Sequence, residues 1–221
     1  MCGRFSLQTT EEAIREQCNA TVSEPIPNST NLAPTEFALC IVEKNNERIA
    51  LPMRWGFTPW YANGKKILLL NARSEDIATK AAFKQSVESR RCLLLMNGFF
   101  EWQHHPTDKK QKQPFLIHRK DEQLMAIAAI WQKEQQSCGT SLLSCCLLTT
   151  EAKGIVSKLH NRMPLMLSSE QQREWLADLS FDQVAVNHVL EQDNSIELSA
   201  YPVTTAMNSA LYKAPDAILP I

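Results

Sequence analysis

Cys92-Leu93-Leu94-Leu95-Met96-Asn97-Gly98-Phe99-Phe100-Glu101-Trp102 is the stretch on which the fold turns. It is mostly apolar, ends in aromatic residues and lacks the polar stripe of an amphipathic helix, so it reads as a strand over 92–102. Outward from it, short apolar or alternating runs recur at 37–42, 49–55, 66–71, 114–118, 124–131 and 141–149, separated by polar turns. Helical patterns are fewer. Thr9 or Thr10 can cap a helix over 11–18 with acidic residues in its first turn. Ser168 or Ser169 opens a second helix through Leu176, 181–191 reads as a third, and 150–159 as a fourth. Residues 19–35, with Pro25, Pro27 and Pro34, read as a long extended connection. Residues 104–113, carrying Lys109-Lys110-Gln111-Lys112, read as a solvated hairpin tip, the alternative being lysines that brush a phosphate backbone. The expected class is α+β: a single domain over 1–221 with a large, mostly antiparallel, barrel-like sheet flanked by a few helices.

A formal net charge of −1 provides no global positive field, so nucleic-acid binding would need a local patch. No apolar run is long enough to span a bilayer and no signal peptide precedes Cys2, so the expectation is a cytoplasmic protein without membrane contact. The seven cysteines are odd in number and show no Cys-x-x-Cys spacing, which argues against a disulfide scaffold and a structural metal site. Cys40, Cys92, Cys145 and Cys146 sit in apolar runs and read as small hydrophobes. No metal or cofactor is expected.

The chain opens Met1-Cys2-Gly3-Arg4. A small second residue favours loss of the initiator methionine, which would expose an α-amine of pKa about 7.7–8.0 beside a thiol of about 8.5. Such an aminothiol condenses with an aldehyde to an imine, and its thiol then closes a thiazolidine ring. It can equally serve as an acyl-transfer nucleophile with the amine as base. Gly3 permits close backbone approach to a ligand, and Arg4 sets a cation two residues from the nucleophile. Asn71 and Arg73, two apart at a strand end, point the same way and can read one ligand; the ordinary alternative is a helix start. Glu101 lies between Phe100 and Trp102. Pointing inward it would gain a raised pKa suited to general acid/base work, and pointing outward it is a solvated edge residue. In His160-Asn161-Arg162, the imidazole can shuttle protons and the guanidinium can grip an anion through two parallel hydrogen bonds. Trp55 reads as core, and Trp60 as a surface aromatic able to stack on unpaired bases.

Cys2-Gly3-Arg4-Phe5, Asn31-Leu32-Ala33-Pro34-Thr35, Arg54-Trp55-Gly56-Phe57-Thr58-Pro59-Trp60, Asn71-Ala72-Arg73-Ser74-Glu75, Gly98-Phe99-Phe100-Glu101-Trp102, His160-Asn161-Arg162-Met163-Pro164 and Pro202-Val203…Met207-Asn208 stand in one order along almost the whole chain. In that order they resemble the SOS-response-associated peptidase (SRAP) family, whose members are described as abasic-site processing proteins. The resemblance implies a single domain with a β-barrel-like centre and no cofactor. It also implies a monomer, nucleoid-associated when on DNA, that captures abasic sites in single-stranded DNA. Cys2 would form a thiazolidine crosslink to the ring-opened sugar aldehyde after autocatalytic removal of Met1, a peptidase-type step to which lyase chemistry could be added. Asn71 matches the position that orients the sugar and terminus, Glu101 the acid/base, and His160 the group that assists ring opening and proton transfer. Arg4, Arg73 and Arg162 match phosphate contacts, Trp60 lies in the segment bordering DNA, and Thr149 matches a hydroxyl contact. Met207-Asn208-Ser209-Ala210-Leu211 stands where many relatives carry basic residues, so no DNA contact is expected there. Two other readings stand beside this one. A class II glutaminase-like amidohydrolase also begins Met-Cys-Gly, but the Gly-Asp turn it needs is absent. A non-catalytic single-strand-binding module would use Trp60 and the arginines and leave Cys2 without a role.

Overall fold

Alternation along the strands sorts the apolar residues onto two faces, and that sorting builds the molecule. The computed structural model describes residues 2–62, 67–104, 107, 111–135, 139–177, 182–191 and 196–221. Its strands are β1 (Phe5–Leu7), β2 (Ala20–Val22), β3 (Ser29–Leu32), β4 (Phe37–Lys44), β5 (Glu47–Trp55), β6 (Asn71–Arg73), β7 (Arg91–Met96), β8 (Gly98–His104), β9 (Lys112–Arg119), β10 (Met125–Gln135), β11 (Ser141–Glu151), β12 (Arg162–Pro164) and β13 (Leu198–Pro202). Its helices are α1 (Glu11–Cys18), α2 (Lys84–Ser89), α3 (Ser169–Leu176) and α4 (Gln183–Glu191).

Strands β11, β10, β7, β4 and β5 pair in that order, all antiparallel. β5 then returns to β11 in parallel, with Arg54 opposite Ser144 and Trp55 opposite Cys145, which closes a five-stranded barrel. On β7, Cys92, Leu94 and Met96 share a cluster with Cys40, Ala129 and Cys145. Leu93 and Leu95 face the opposite way and pack with Ile14, Val87 and Trp175 from the helices. The helix-covered face is the outside, so the first set fills the lumen. Alanine and cysteine suit the narrow interior that so few strands enclose. Each large buried aliphatic side chain contributes about 1.5–3 kcal/mol over leaving it exposed.

A half-buried ion pair pins the closure. Arg54 on β5 meets Glu134 on β10 at 2.7 Å. Glu134 also accepts from the Thr58 amide at 3.1 Å, from Gln132 at 3.0 Å and from the Ser144 hydroxyl. Burial alone would raise its pKa, but these donors and Arg54 outweigh it and hold the carboxyl below its usual range. A second sheet, ordered β13-β9-β8-β1-β3, carries the N-terminal strand between two others.

The caps follow local chemistry. Thr10 accepts from the Ala13 amide at the start of α1, and Asn19, in the left-handed region at φ 51°, ends it. Ser168 and Gln171 form a capping box on α3. The Trp175 indole donates to the Cys92 carbonyl at 3.0 Å and docks that helix on the barrel.

Several sequence expectations are corrected. The run 92–102 is two strands: β7 belongs to the barrel and β8 to the second sheet. The chain changes sheets at Asn97, whose amide donates to Ser6 O at 2.8 Å and whose side-chain carbonyl accepts from the Gln8 amide at 2.5 Å. Of the run 66–71, Lys66 lies outside the described residues, Leu69 makes an isolated bridge to Phe57, and the strand begins only at Asn71. The connection 19–35 contains β2 and β3. Residues 150–159 are not a helix: Thr150 and Glu151 extend β11 because β12 pairs with them, and only Val156–Lys158 turns as a 3-10 helix. The described part of the third helix starts at Gln183, since Phe181 lies outside the described residues. Most of the hairpin tip, including Lys109 and Lys110, is likewise outside them. Helix α2 and strands β1 and β13 were not anticipated. No described helix is long and apolar enough to cross a membrane.

Gly98 sits where the sheets change over. A Cβ there would lie 2.7 Å from the Ile117 carbonyl oxygen. Gly98→Ala is therefore expected to destabilise the protein by about 1–3 kcal/mol in urea unfolding; an unchanged midpoint would show that the backbone yields freely.

Candidate active site

Strand β1 sets Phe5 opposite both Leu32 and Phe99. The ladder continues toward the terminus, with the Phe100 amide donating to Arg4 O at 3.0 Å. Antiparallel continuation carries Cys2 and Gly3 alongside Glu101 and Trp102. The orientation left open by the sequence is thereby decided: Glu101 points inward and is 5% exposed. Burial pushes its carboxyl above the ordinary pKa. Cys2 is wholly buried, and burial together with the Glu101 charge pushes its thiol up, so it is a neutral thiol at pH 7. Its Sγ donates to Arg4 O at 3.7 Å.

Asn71 arrives from a different direction. β6 lies parallel to β11, with Asn71 opposite Leu147 and Arg73 opposite Thr149. The Asn71 amide nitrogen donates to the Cys2 carbonyl at 3.0 Å, while its Oδ1 is buried with no hydrogen-bond partner. An unsatisfied buried acceptor costs about 1–3 kcal/mol. Such an oxygen beside Cys2 is where an N–H or O–H of a reacting molecule would be held.

His160 follows the 3-10 turn and precedes β12. The Arg162 amide donates to its Nδ1 at 2.9 Å, so the neutral ring carries its proton on Nε2. Burial holds its pKa below the ordinary value, against the opposing effect of the Arg162 amide hydrogen bond. The imidazole is neutral at pH 7.

The arginines differ in what they hold. Arg162 grips Glu75 through Nη1 at 2.5 Å and Nη2 at 2.8 Å, and Nη2 also donates to Thr149 O at 2.6 Å. Arg162 pushes the Glu75 carboxyl below its usual range. Thr149, wholly buried, donates its hydroxyl to Ala72 O at 3.3 Å and so ties β11 to β6. Arg4 donates to Asn31 Oδ1 at 3.1 Å and Ser209 O at 3.2 Å, and stacks over Trp102 at 5.4 Å. Arg73 is exposed and makes no hydrogen bond or ion pair among the described residues. Trp60 is 77% exposed, packs edge-on to Tyr61 and donates to Ala81 O at 3.4 Å, contacts that do not reach the Cys2 group. The structure thus joins Cys2 to Asn71 and Glu101, joins His160 to Arg162, Thr149 and Glu75, and leaves Arg73 and Trp60 facing solvent.

Two polar residues were missed as site members. Asn31 is fully buried and donates to the carbonyls of Ser209 and Tyr212, and Glu75 holds Arg162. Both stand inside the motifs read from the sequence, and a polar residue heading an apolar triplet was the available signal for Asn31. Glu75's partner is far along the chain, so nothing local marked it. Among the described residues, no three His, Cys, Asp or Glu side chains gather as metal ligands. A cleft of about 960 Å3, lined by Lys153, Met163, Met166 and Leu198, contains none of the residues around Cys2.

Arg4→Ala should destabilise the fold by about 1–3 kcal/mol, because it strips hydrogen bonds from Asn31 and the C-terminal carbonyls. Arg73→Ala should stay within about 0.5 kcal/mol. Urea unfolding of the two variants checks the contrast, and equal losses would refute it.

Known proteins resemble this chain in sequence and in fold. The family model described as SOS response associated peptidase (SRAP) matches residues 1–210. The abasic site processing protein YoqW of Bacillus subtilis is 31% identical over 225 residues, covering 99% of each chain. The abasic site processing protein YedK of Escherichia coli is 28% identical over 232 residues, covering 100% of both. A crystal structure of a protein from Bacteroides thetaiotaomicron superposes with a TM-score of 0.81 at 20% identity over the full length of both chains, which shows a shared fold.

Proposed function

The chain belongs to the SOS response associated peptidase (SRAP) family, and from that premise we propose that it senses abasic sites in DNA and captures them covalently through Cys2. The observation that carries the reading is the Asn71 side chain, bonded to the Cys2 carbonyl at 3.0 Å with its own buried oxygen left over. A second strand thereby holds the N-terminal residue in place and offers one acceptor to whatever reacts there.

The chemistry balances without a cofactor. Hydrolysis of the Met1–Cys2 peptide bond consumes one water and frees the α-amine. That amine adds to the aldehyde carbon of the ring-opened sugar in single-stranded DNA. Glu101, whose pKa is raised by burial, gives a proton to the departing hydroxyl. Water leaves and an imine forms. The Cys2 sulfur then bonds to the same carbon, and the thiol proton passes to nitrogen by way of the Glu101 carboxylate. The product is a thiazolidine, with no change in oxidation state. Neutral His160, with its proton on Nε2, serves the sugar oxygen during ring opening.

Arg73 is the arginine with its guanidinium free for a phosphate, and Trp60 offers a face for an unpaired base. Arg4, Arg162 and Thr149 support the site chiefly by holding its walls together, which leaves little of their polar capacity for DNA.

Mass spectrometry of the purified chain, with and without a single-stranded abasic oligonucleotide, tests the core of this reading. Loss of Met1 and addition of the oligonucleotide are expected, and Cys2→Ala should lose the adduct. A Cys2→Ala protein that still crosslinks would remove Cys2 from the reaction. The acid form of Glu101 is lost as pH rises through its raised pKa, so single-turnover capture should slow along that limb. Glu101→Gln should be slower and flat there, and an unaltered pH profile would discard its role. In a Cys2→Ala background, Arg73→Ala should lower the slope of log affinity against log salt by about 0.7; the same slope would mean that Arg73 touches no phosphate.

A further inference from the structure

We infer that Glu75 is a positioning residue: by occupying the Arg162 guanidinium it holds the Arg162 amide against His160 Nδ1 and so selects the imidazole tautomer. Its use in abasic-site capture rests on the function proposed above; the tautomer itself does not.

Three segments meet here. β6 pairs with β11 over Leu147–Thr149 and β12 pairs with it over Thr149–Glu151, so the two meet at Thr149. Thr149 O accepts from Ser74 Oγ at 3.0 Å and from Arg162 Nη2 at 2.6 Å, so one carbonyl takes a donor from each side. The bidentate Glu75–Arg162 pair completes the ring. Asn71 heads the same short strand that leads into Glu75, and His160 stands two residues before Arg162. The pair therefore fixes the segment that holds Cys2 relative to the segment that carries the imidazole.

The guanidinium needs Glu75 to stay where it is. The Arg162 side chain is only 13% exposed, and its Nε is already buried without a partner. Removing the carboxylate would leave further buried donors unsatisfied and drive the side chain outward toward water. Arg162 is also the first residue of β12, where ladder restraint is weakest. Its amide is the one that donates to His160 Nδ1. A displaced Arg162 would release Nδ1, and the neutral ring could then carry its proton on either nitrogen.

The competing role for the same pair makes Glu75 a carboxylate stand-in that a DNA phosphate must displace. The two roles move measurements in opposite directions. Long-range 1H–15N spectra of the histidines should show His160 as the Nε2–H tautomer in the wild type and as a tautomer mixture in Glu75→Gln. Glu75→Asp, which keeps a carboxylate, should recover the wild-type pattern in part. With a single-stranded abasic oligonucleotide, the capture rate at saturation should fall about tenfold in Glu75→Gln, while affinity in a Cys2→Ala background stays within about twofold. A His160 spectrum unaltered by Glu75→Gln overturns the inference, whatever the rate does. Tighter DNA binding with a steeper salt dependence overturns it too and makes Glu75 a competitor of phosphate. Failure of every variant and of the wild type to crosslink, with the tautomer still shifting, would sink the proposed function and leave the positioning role standing.

Discussion

Strand β11 pairs with four partners, and the molecule hangs on that constraint. Its antiparallel bonds to β10 and parallel bonds to β5 close the barrel. Its far end takes β6 in parallel and β12 in antiparallel register. A strand ordinarily has two edges to offer. β11 serves four neighbours because β5 and β6 share one edge in succession, and β10 and β12 share the other. The barrel is thereby coupled to the site, since Asn71, Arg73 and Arg162 all sit on strands registered against Leu147–Glu151.

Polar groups are partly or wholly withdrawn from water near both ends of this strand, with different consequences. At the barrel end, Glu134 has a full set of donors and a guanidinium, so its charge is stabilised and the closure is rigid. At the site end, Glu101 carries a carboxyl that burial disfavours as an anion, and Asn71 keeps an unsatisfied oxygen. Rigidity in one place thus supports unfavourable solvation in another, the arrangement expected where reacting groups are to be held ready.

Much of this was legible in the chain. The apolar runs 124–131 and 141–149 marked β10 and β11, and apolar neighbours marked Cys40, Cys92 and Cys145 as core. Thr10 and Ser168 marked helix starts through cap chemistry that acts within a few residues. The failures share a cause. The run 92–102 reads as one strand because apolar residues flank Asn97-Gly98 on both sides, yet it is cut at Asn97 because the strand that receives Gly98 comes from the N-terminus. Residues 150–159 have a helical pattern, but pairing with β12 takes the first two for the sheet. The short β2 and β3 exist only through pairing with distant partners, so a Pro-marked stretch reads as a plain connection.

The motifs around Cys2, Asn71, Glu101 and His160, together with the family they resemble, were set by the order of residue types alone. Side-chain chemistry and local spacing travel with the sequence, and they are enough to nominate the reacting groups. Only the tertiary structure decided which way Glu101 points, that Asn71 reaches the Cys2 carbonyl, and that Arg4 and Arg162 are held by the chain's own acceptors while Arg73 is left exposed. Each of those outcomes depends on contacts between residues dozens to hundreds of positions apart, and their distances exist only after the barrel has closed.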